Sequence, residues 1–219
     1  MVCGLLLYRG TQQVPQFYEQ SLQPKLSRPE QAQLGDEFER EVLELHNDTG
    51  REGQWQAVFS DQEVNAWLAV DLVQNHPRAL PPDLVDPRVR IAVDRLQVAC
   101  RYKGEPLETV VSIEADVYLT DKPNQLALRI RGFRAGLIPL PLKQLMDRVT
   151  DAARKSDVQL LWSQQEGDPV ALFQVPAEHQ QFPGRELCLE TLELRDGEIF
   201  LAGCTVHVAK NQRSGQPED

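Results

Sequence analysis

FRAGLIPLPLKQLMDRV, residues 133 to 149, joins two patterns that belong to different kinds of secondary structure. To its left, over residues 125 to 135, Leu126, Leu128 and Ile130 alternate with Arg129 and Arg131. That is the pattern of a strand with one buried face. To its right, Leu142, Leu145, Met146, Val149 and Ala152 recur at helical spacing, which predicts an amphipathic helix over about 141 to 155. Between them lies Gly136-Leu137-Ile138-Pro139-Leu140-Pro141. Gly136 permits a sharp bend. Pro139 keeps Ile138 extended, and Pro141 suits a helical first turn. The segment therefore predicts a corner that folds the helix onto the apolar face of a sheet. A long antiparallel sheet twists, and its apolar face needs such a cover.

Working outward, period-two alternation fills the region before the corner. Val89, Ile91 and Val93 lead to a tight turn near Asp94-Arg95, and Leu96, Val98, Cys100 and Tyr102 return. A long strand follows over 107 to 120, with Thr109, Val111, Ile113, Ala115, Val117 and Leu119 on one face. After the helix, strands are expected at 158–162, 170–175, 187–194 and 199–208, the last two joined by a tight Asp196-Gly197 turn. Before the meander, the signals are helical. Val14, Phe17, Tyr18 and Leu22 share one face. Ser27-Arg28-Pro29-Glu30 opens a helix over 30–47, and Ser60-Asp61-Gln62-Glu63 is a second capping box. The latter starts a helix whose apolar stripe is Val64, Trp67, Leu68 and Leu72. Residues 55–59 read as a short strand, and residues 73–87, with four prolines, read as a loop.

The fold class that follows is α+β: a long, curved antiparallel β-sheet wrapped on an amphipathic helix, with N-terminal helices. The expected divisions are an apolar end (1–9), a helical arm (10–52), a curved-sheet/helix domain (53–209) and a disordered tail (210–219).

The chain has 219 residues, 41% hydrophobic and 26% charged, with a formal net charge of -10. This fits a folded protein and excludes nucleic acid as a partner, which requires clustered Lys and Arg. The start, Met1-Val2-Cys3-Gly4-Leu5-Leu6-Leu7-Tyr8-Arg9, is apolar but falls short of the ~20 residues that span a bilayer. It reads as the outer end of a signal anchor. The alternative is a loose apolar end or a short core strand.

The four cysteines, Cys3, Cys100, Cys188 and Cys204, make no CxxC, and the four histidines are scattered, so no metal site is expected. Cys188 and Cys204 flank the last hairpin. With Arg195 paired to Glu198, Leu192 meets Leu201 and Cys188 faces Thr205; a loop one residue longer would align the two cysteines for a disulfide.

No catalytic signature is present: there is no GxSxG turn, phosphate loop or dinucleotide fingerprint. Glu63, Asp71 and His76 form a conceivable acid-base group, but Glu63 already has a capping role. His207 is a lone strand histidine. Arg129 and Arg131, with Arg101 and Lys103, form a conceivable basic ladder on the outer sheet face, for lipid headgroups or an acidic partner. The chain is read as a non-enzyme without cofactors.

The stretch FSDQEVNAWLAVDL (59–72), a strand meander, and then AGLIPLPLKQLM (135–146) together resemble the YpmS-type family. Its members are bacterial, membrane-anchored, extracytoplasmic proteins. Glu63, Asn65 and Leu68 match its first motif, and Gly136, Leu137, Pro139 and Pro141 its second. The resemblance covers roughly residues 55 to 208; the helical arm departs from it. The family's sheet-on-helix build is similar to half-modules of the tubular lipid-binding (TULIP) superfamily. The resemblance implies a domain anchored to the cytoplasmic membrane and facing the cell envelope. It also implies an apolar groove between sheet and helix that holds a lipid or another apolar small molecule. Trp67, Phe133, Leu137, Ile138, Leu140, Leu145, Met146 and Val149 are the expected lining. The competing reading is a membrane-tethered protein-interaction or scaffold module with a filled core. Solid packing of Trp55, Trp67, Phe133, Leu137 and Met146 would favour it.

Overall fold

The structure, a computed structural model, describes residues 9–22, 26–76, 80–105, 107–155, 158–178 and 183–208. The apolar end 1–8, His179 and the tail from 209 lie outside the described residues.

Helices precede and interrupt the first strands. Helix α1 (Gln16–Leu22) buries Phe17 and Tyr18. Helix α2 (Arg28–Thr49) starts where Glu30 accepts the Ser27 N–H at 2.7 Å. Strand β1 (Gly53–Ser60) runs directly into α3 (Asp61–Asn75). There Ser60 and Glu63 close the capping box, with N–H bonds of 2.8 and 3.2 Å. Helix α2 lies on α3. Gly35 is buried against the Trp67 backbone, and the Phe38 ring sits 5.9 Å from Trp67 and 5.6 Å from Phe59 of β1.

The meander comprises β2 (Leu84–Ala92), β3 (Arg95–Gly104), β4 (Leu107–Leu119) and β5 (Gln125–Ala135). A two-residue strand β6 (Ile138–Pro139) folds back on β5 inside the corner, and helix α4 (Leu142–Lys155) follows. Strands β7 (Leu160–Gln165) and β8 (Asp168–Gln174) form a hairpin, of which β8 pairs with β5. The result is a seven-stranded antiparallel sheet, ordered β2-β3-β4-β5-β8-β7 with β6 beside β5. Its apolar face packs on α4.

The last hairpin, β9 (Arg185–Arg195) and β10 (Glu198–His207), joins β1 instead, in a separate three-stranded sheet ordered β1-β10-β9. Backbone bonds tie the sheets together. Asp94 N–H donates to Leu194 O (3.1 Å), and Gly197 N–H to Ile91 O (2.9 Å). Ile91 and Leu194 are both buried at this join.

Several expectations change. Strand β2 begins at Leu84, inside the stretch read as a loop. Its Pro87 is tolerated because the register against β3 shifts between Val85 and Arg88, on an edge strand. The hairpin register starts as predicted, with Leu192 opposite Leu201 and Leu194 opposite Ile199. A bulge then leaves Glu190 without a partner, and Cys188 faces Cys204 rather than Thr205. Both thiols are free.

Arg129 and Arg131 do not form an open basic ladder. Arg129 is only 7% exposed and is held by Asp168 and Glu166, each at 2.8 Å. Arg131 donates to Asp116 (2.5 Å) and Asp168 (3.0 Å). Arg101 lies 3.9 Å from Asp86.

Candidate binding site

Two faces of the large sheet are covered differently, and the difference follows from strand alternation. On β4, Ile113 and Ala115 point to one side and Val110 to the other. The first side meets α4. Leu145, Ala115 and Ile130 are buried there at 6%, 3% and 5% exposure, with Ile113, Phe133, Leu142, Val149 and Trp162 packed around them. The Trp162 N–H donates to the Thr150 hydroxyl at 2.9 Å, which closes the far end of the seam.

Of the expected groove residues, this seam gathers Phe133, Leu145 and Val149. Met146 and Leu140 are half-buried nearby in sequence, and Leu140 donates its N–H to Phe133 O. Trp67 sits elsewhere: it lies on α3 between Phe38 and His76 and donates to Glu39 at 2.8 Å.

The corner meets the N-terminal chain. Leu137 N–H donates to Gly10 O at 3.0 Å, and the Thr109 hydroxyl to Thr11 O at 2.7 Å. The Ile138 side chain lies over Gly10. Gly136, with φ of 58°, lies so close to Gly10 and Thr11 that no side chain fits between them. Leu137 itself projects outward, 56% exposed.

The opposite face carries α1. Phe17 and Tyr18 pack on Ala99 and Val110, and the Tyr18 hydroxyl donates to Asp86 O at 2.9 Å. Burial pushes the Tyr18 hydroxyl up to about 12, so it stays protonated. Beside α1 the sheet floor lies open. Register sets two rows across four strands. One runs Arg88, Ala99, Ser112, Arg134; the other runs Arg90, Gln97, Glu114, Gly132. A cleft of about 620 Å³ lies between this floor, α1 and the corner, lined by residues including Gln13, Phe17, Arg90, Gln97, Arg134 and Leu137. A second cleft of about 710 Å³ continues past Phe17, Gln20 and Arg90 to Arg88, Asn65 and Asp61. The two share those first three residues and form one trough along α1.

The trough is polar, and its charges are unevenly used. Glu114 is engaged by Arg95 at 2.6 Å, and Asp61 accepts the Ile91 N–H at 3.3 Å. Among the described residues the sheet's ion pairs engage Arg95, Arg101, Arg129 and Arg131, not Arg88, Arg90 or Arg134. Arg88 donates to carbonyls of Ser21 and Pro87 instead, and desolvation lowers its pKa. Three guanidinium groups with no ion pair among the described residues thus line an open trough, together with the carboxylates of Asp61, Glu114 and Asp196.

The other polar candidates are accounted for locally. Glu63 is the α3 cap, His76 lies against Trp67, and exposed His207 is 3.5 Å from Glu52. The arginine trough was missed by sequence reasoning. Its one local signal is the alternation Arg88-Val89-Arg90-Ile91, which puts two arginines on one face. Arg134 joins them only through pairing with Ser112.

No family model matches the chain, and no curated protein or solved structure matches it. No helix among the described residues is long and apolar enough to cross a membrane.

Proposed function

We propose that this chain is a non-enzymatic interaction module, tethered to the extracytoplasmic side of a membrane through its N-terminus, that holds an acidic segment of a partner protein in the trough along α1. The observation that carries the reading is the contrast between the two sheet faces. The α4 face buries Leu145, Ala115 and Ile130, whereas the α1 face carries a trough lined by residues including Arg88, Arg90 and Arg134. A groove for an acyl chain needs apolar walls around empty space. A trough with guanidiniums and glutamine amides instead offers donors to carboxylates and to peptide backbone.

The tether is supported by position. Gly10 and Thr11, which follow the apolar sequence Val2 to Leu7, are pinned to the corner. Leu137 is exposed at this corner and lines the mouth of the trough.

A photoreactive side chain at Gln97, on the trough floor, tests this in membranes of the source cells. The expected result is a discrete protein adduct, lost when Arg90→Glu and Arg134→Glu are combined. An adduct with lipid alone, or an adduct indifferent to the charge reversal, would overturn the reading.

A further inference from the structure

The bulge in β9 creates a constellation that lies outside the trough. It brings Cys188 directly opposite Cys204 and leaves Glu190 as the extra residue beside them. The two sulfurs and a Glu190 carboxylate oxygen all lie within 4.8 Å of one another, and the Cys204 thiol donates to Glu190 Oε1 at 3.4 Å. Both cysteines are half-buried and Glu190 is exposed, so the cluster is reachable from solvent.

We infer that Cys188, Glu190 and Cys204 form a binding site for a borderline-soft divalent cation of the zinc class. Two thiolates on one zinc, each at about 2.3 Å with a tetrahedral angle, stand about 3.8 Å apart, within the spread seen here. Two sulfurs and one carboxylate select zinc-like ions over magnesium and calcium, which take all-oxygen shells. Three protein ligands leave one position for water.

The ladder geometry favours a bridging ion over a direct sulfur-sulfur bond. Leu187 and Leu189 turn their polar groups away from β10. Leu187 N–H donates to Ala177 O, Leu189 N–H donates to Asn124 Oδ1, and Leu187 O accepts from Asn124. By alternation Cys188 turns its N–H and C=O toward β10, so Cys188 and Cys204 are a hydrogen-bonded pair. Such pairs hold their Cβ atoms at the far end of a range of about 4.5–5.5 Å, beyond the ~3.8 Å mean of disulfides. The backbone has no easy give here. Gly203, next to Cys204, is crowded by Cys188 O on one side and Trp55 on the other.

The test is a cobalt titration of the full chain, reduced with a phosphine, followed by displacement with zinc. The expected result is a thiolate-to-cobalt charge-transfer band that saturates at one ion per chain and disappears on adding zinc, but not magnesium. Cys188→Ser and Cys204→Ser should each abolish the band. Glu190→Gln should weaken cobalt binding by about 10-fold or more, as loss of groups supporting a metal does. Circular dichroism establishes that the variants are folded. A reduced chain that takes no cobalt overturns the site. So does a band that persists in the Cys188→Ser/Cys204→Ser double variant, since it would then arise from Cys3 or Cys100.

Discussion

Asn124 holds Leu189 across the gap between the two sheets. Its Oδ1 accepts the Leu189 N–H at 2.7 Å while its Nδ2 donates to Leu187 O at 2.6 Å. Asn124 is 5% exposed and has φ of 56°, a conformation that asparagine tolerates better than most residues. One side chain thus serves as the turn of β4–β5 and as a partner of β9 on the side facing away from β10. Asn124→Ala should cost about 2–4 kcal/mol, because two backbone groups lose their partners. Asn124→Asp should also destabilise at neutral pH, because a carboxylate oxygen would face Leu187 O, and should recover in acid, where the protonated carboxyl can donate. Urea unfolding of the three proteins at neutral and acid pH checks both outcomes.

Gly136 anchors the corner to the N-terminal segment. A Cβ there would lie 2.7 Å from Thr11 O and closer still to Gly10 O. Gly136→Ala adds this clash to a left-handed backbone that alone costs about 1–2 kcal/mol for an L-residue. The expected outcome is a lower midpoint together with faster amide exchange at Leu137, whose N–H would leave Gly10 O. Unchanged exchange at Leu137 would contradict the described latch.

The α2–α3 seam stores like charge. Asp71 Oδ2 is buried without a partner over Gly35, and its pKa is raised by desolvation first, then by Glu39 and Asp36. A carboxyl whose folded pKa is raised favours folding when protonated. Its contribution is complete below the ordinary carboxyl value of about 3.9 and is lost as pH rises through the folded value. Asp71→Asn should therefore stabilise the protein at neutral pH, with the gain vanishing in acid. A uniform loss at all pH values would show that the carboxylate has a favourable partner.

Asp168 has the opposite sign. Hydrogen bonds from Arg129, and then Arg131, hold its pKa below the usual carboxylate range. Its contribution is present above the ordinary value and is lost as pH falls through the folded one. Arg129→Gln should flatten the acid limb of the stability profile, and moderate salt should flatten it partly, since Arg131 is partly exposed. An acid limb as steep as in the parent would refute this assignment.

The elements that could be read from the chain were those with a local period. The α4 stripe, the β4–β5 alternation and both capping boxes need only a few adjacent residues to declare themselves. The division into two sheets was not legible, because β1 finds β10 across most of the chain and their alternation resembles that of any other strand. Bulges were not legible either. The extra Glu190 and Arg131 look like ordinary strand residues, yet one of them re-aims Cys188 and the other brings Arg131 to Asp116. Three of the eight residues expected to line a groove between sheet and helix come together. Phe133, Leu145 and Val149 pack into one apolar cluster with Ala115 and Ile130. The trough was hidden because its floor is built from β2, β3, β4 and β5 at once.

The claim that matters most is that the α4 seam is a closed core and not a ligand groove. The most direct measurement is the thermal unfolding midpoint of the full chain with and without dispersed long-chain fatty acid, repeated on Leu145→Ala. A ligand at 100 times its Kd adds about 2.7 kcal/mol to the folded state. The account predicts no fatty-acid shift in the parent and a loss of about 2–5 kcal/mol on truncating Leu145, as for a packed core leucine. A fatty-acid shift in the parent that Leu145→Ala alters would contradict it and show that the seam opens to hold an acyl chain.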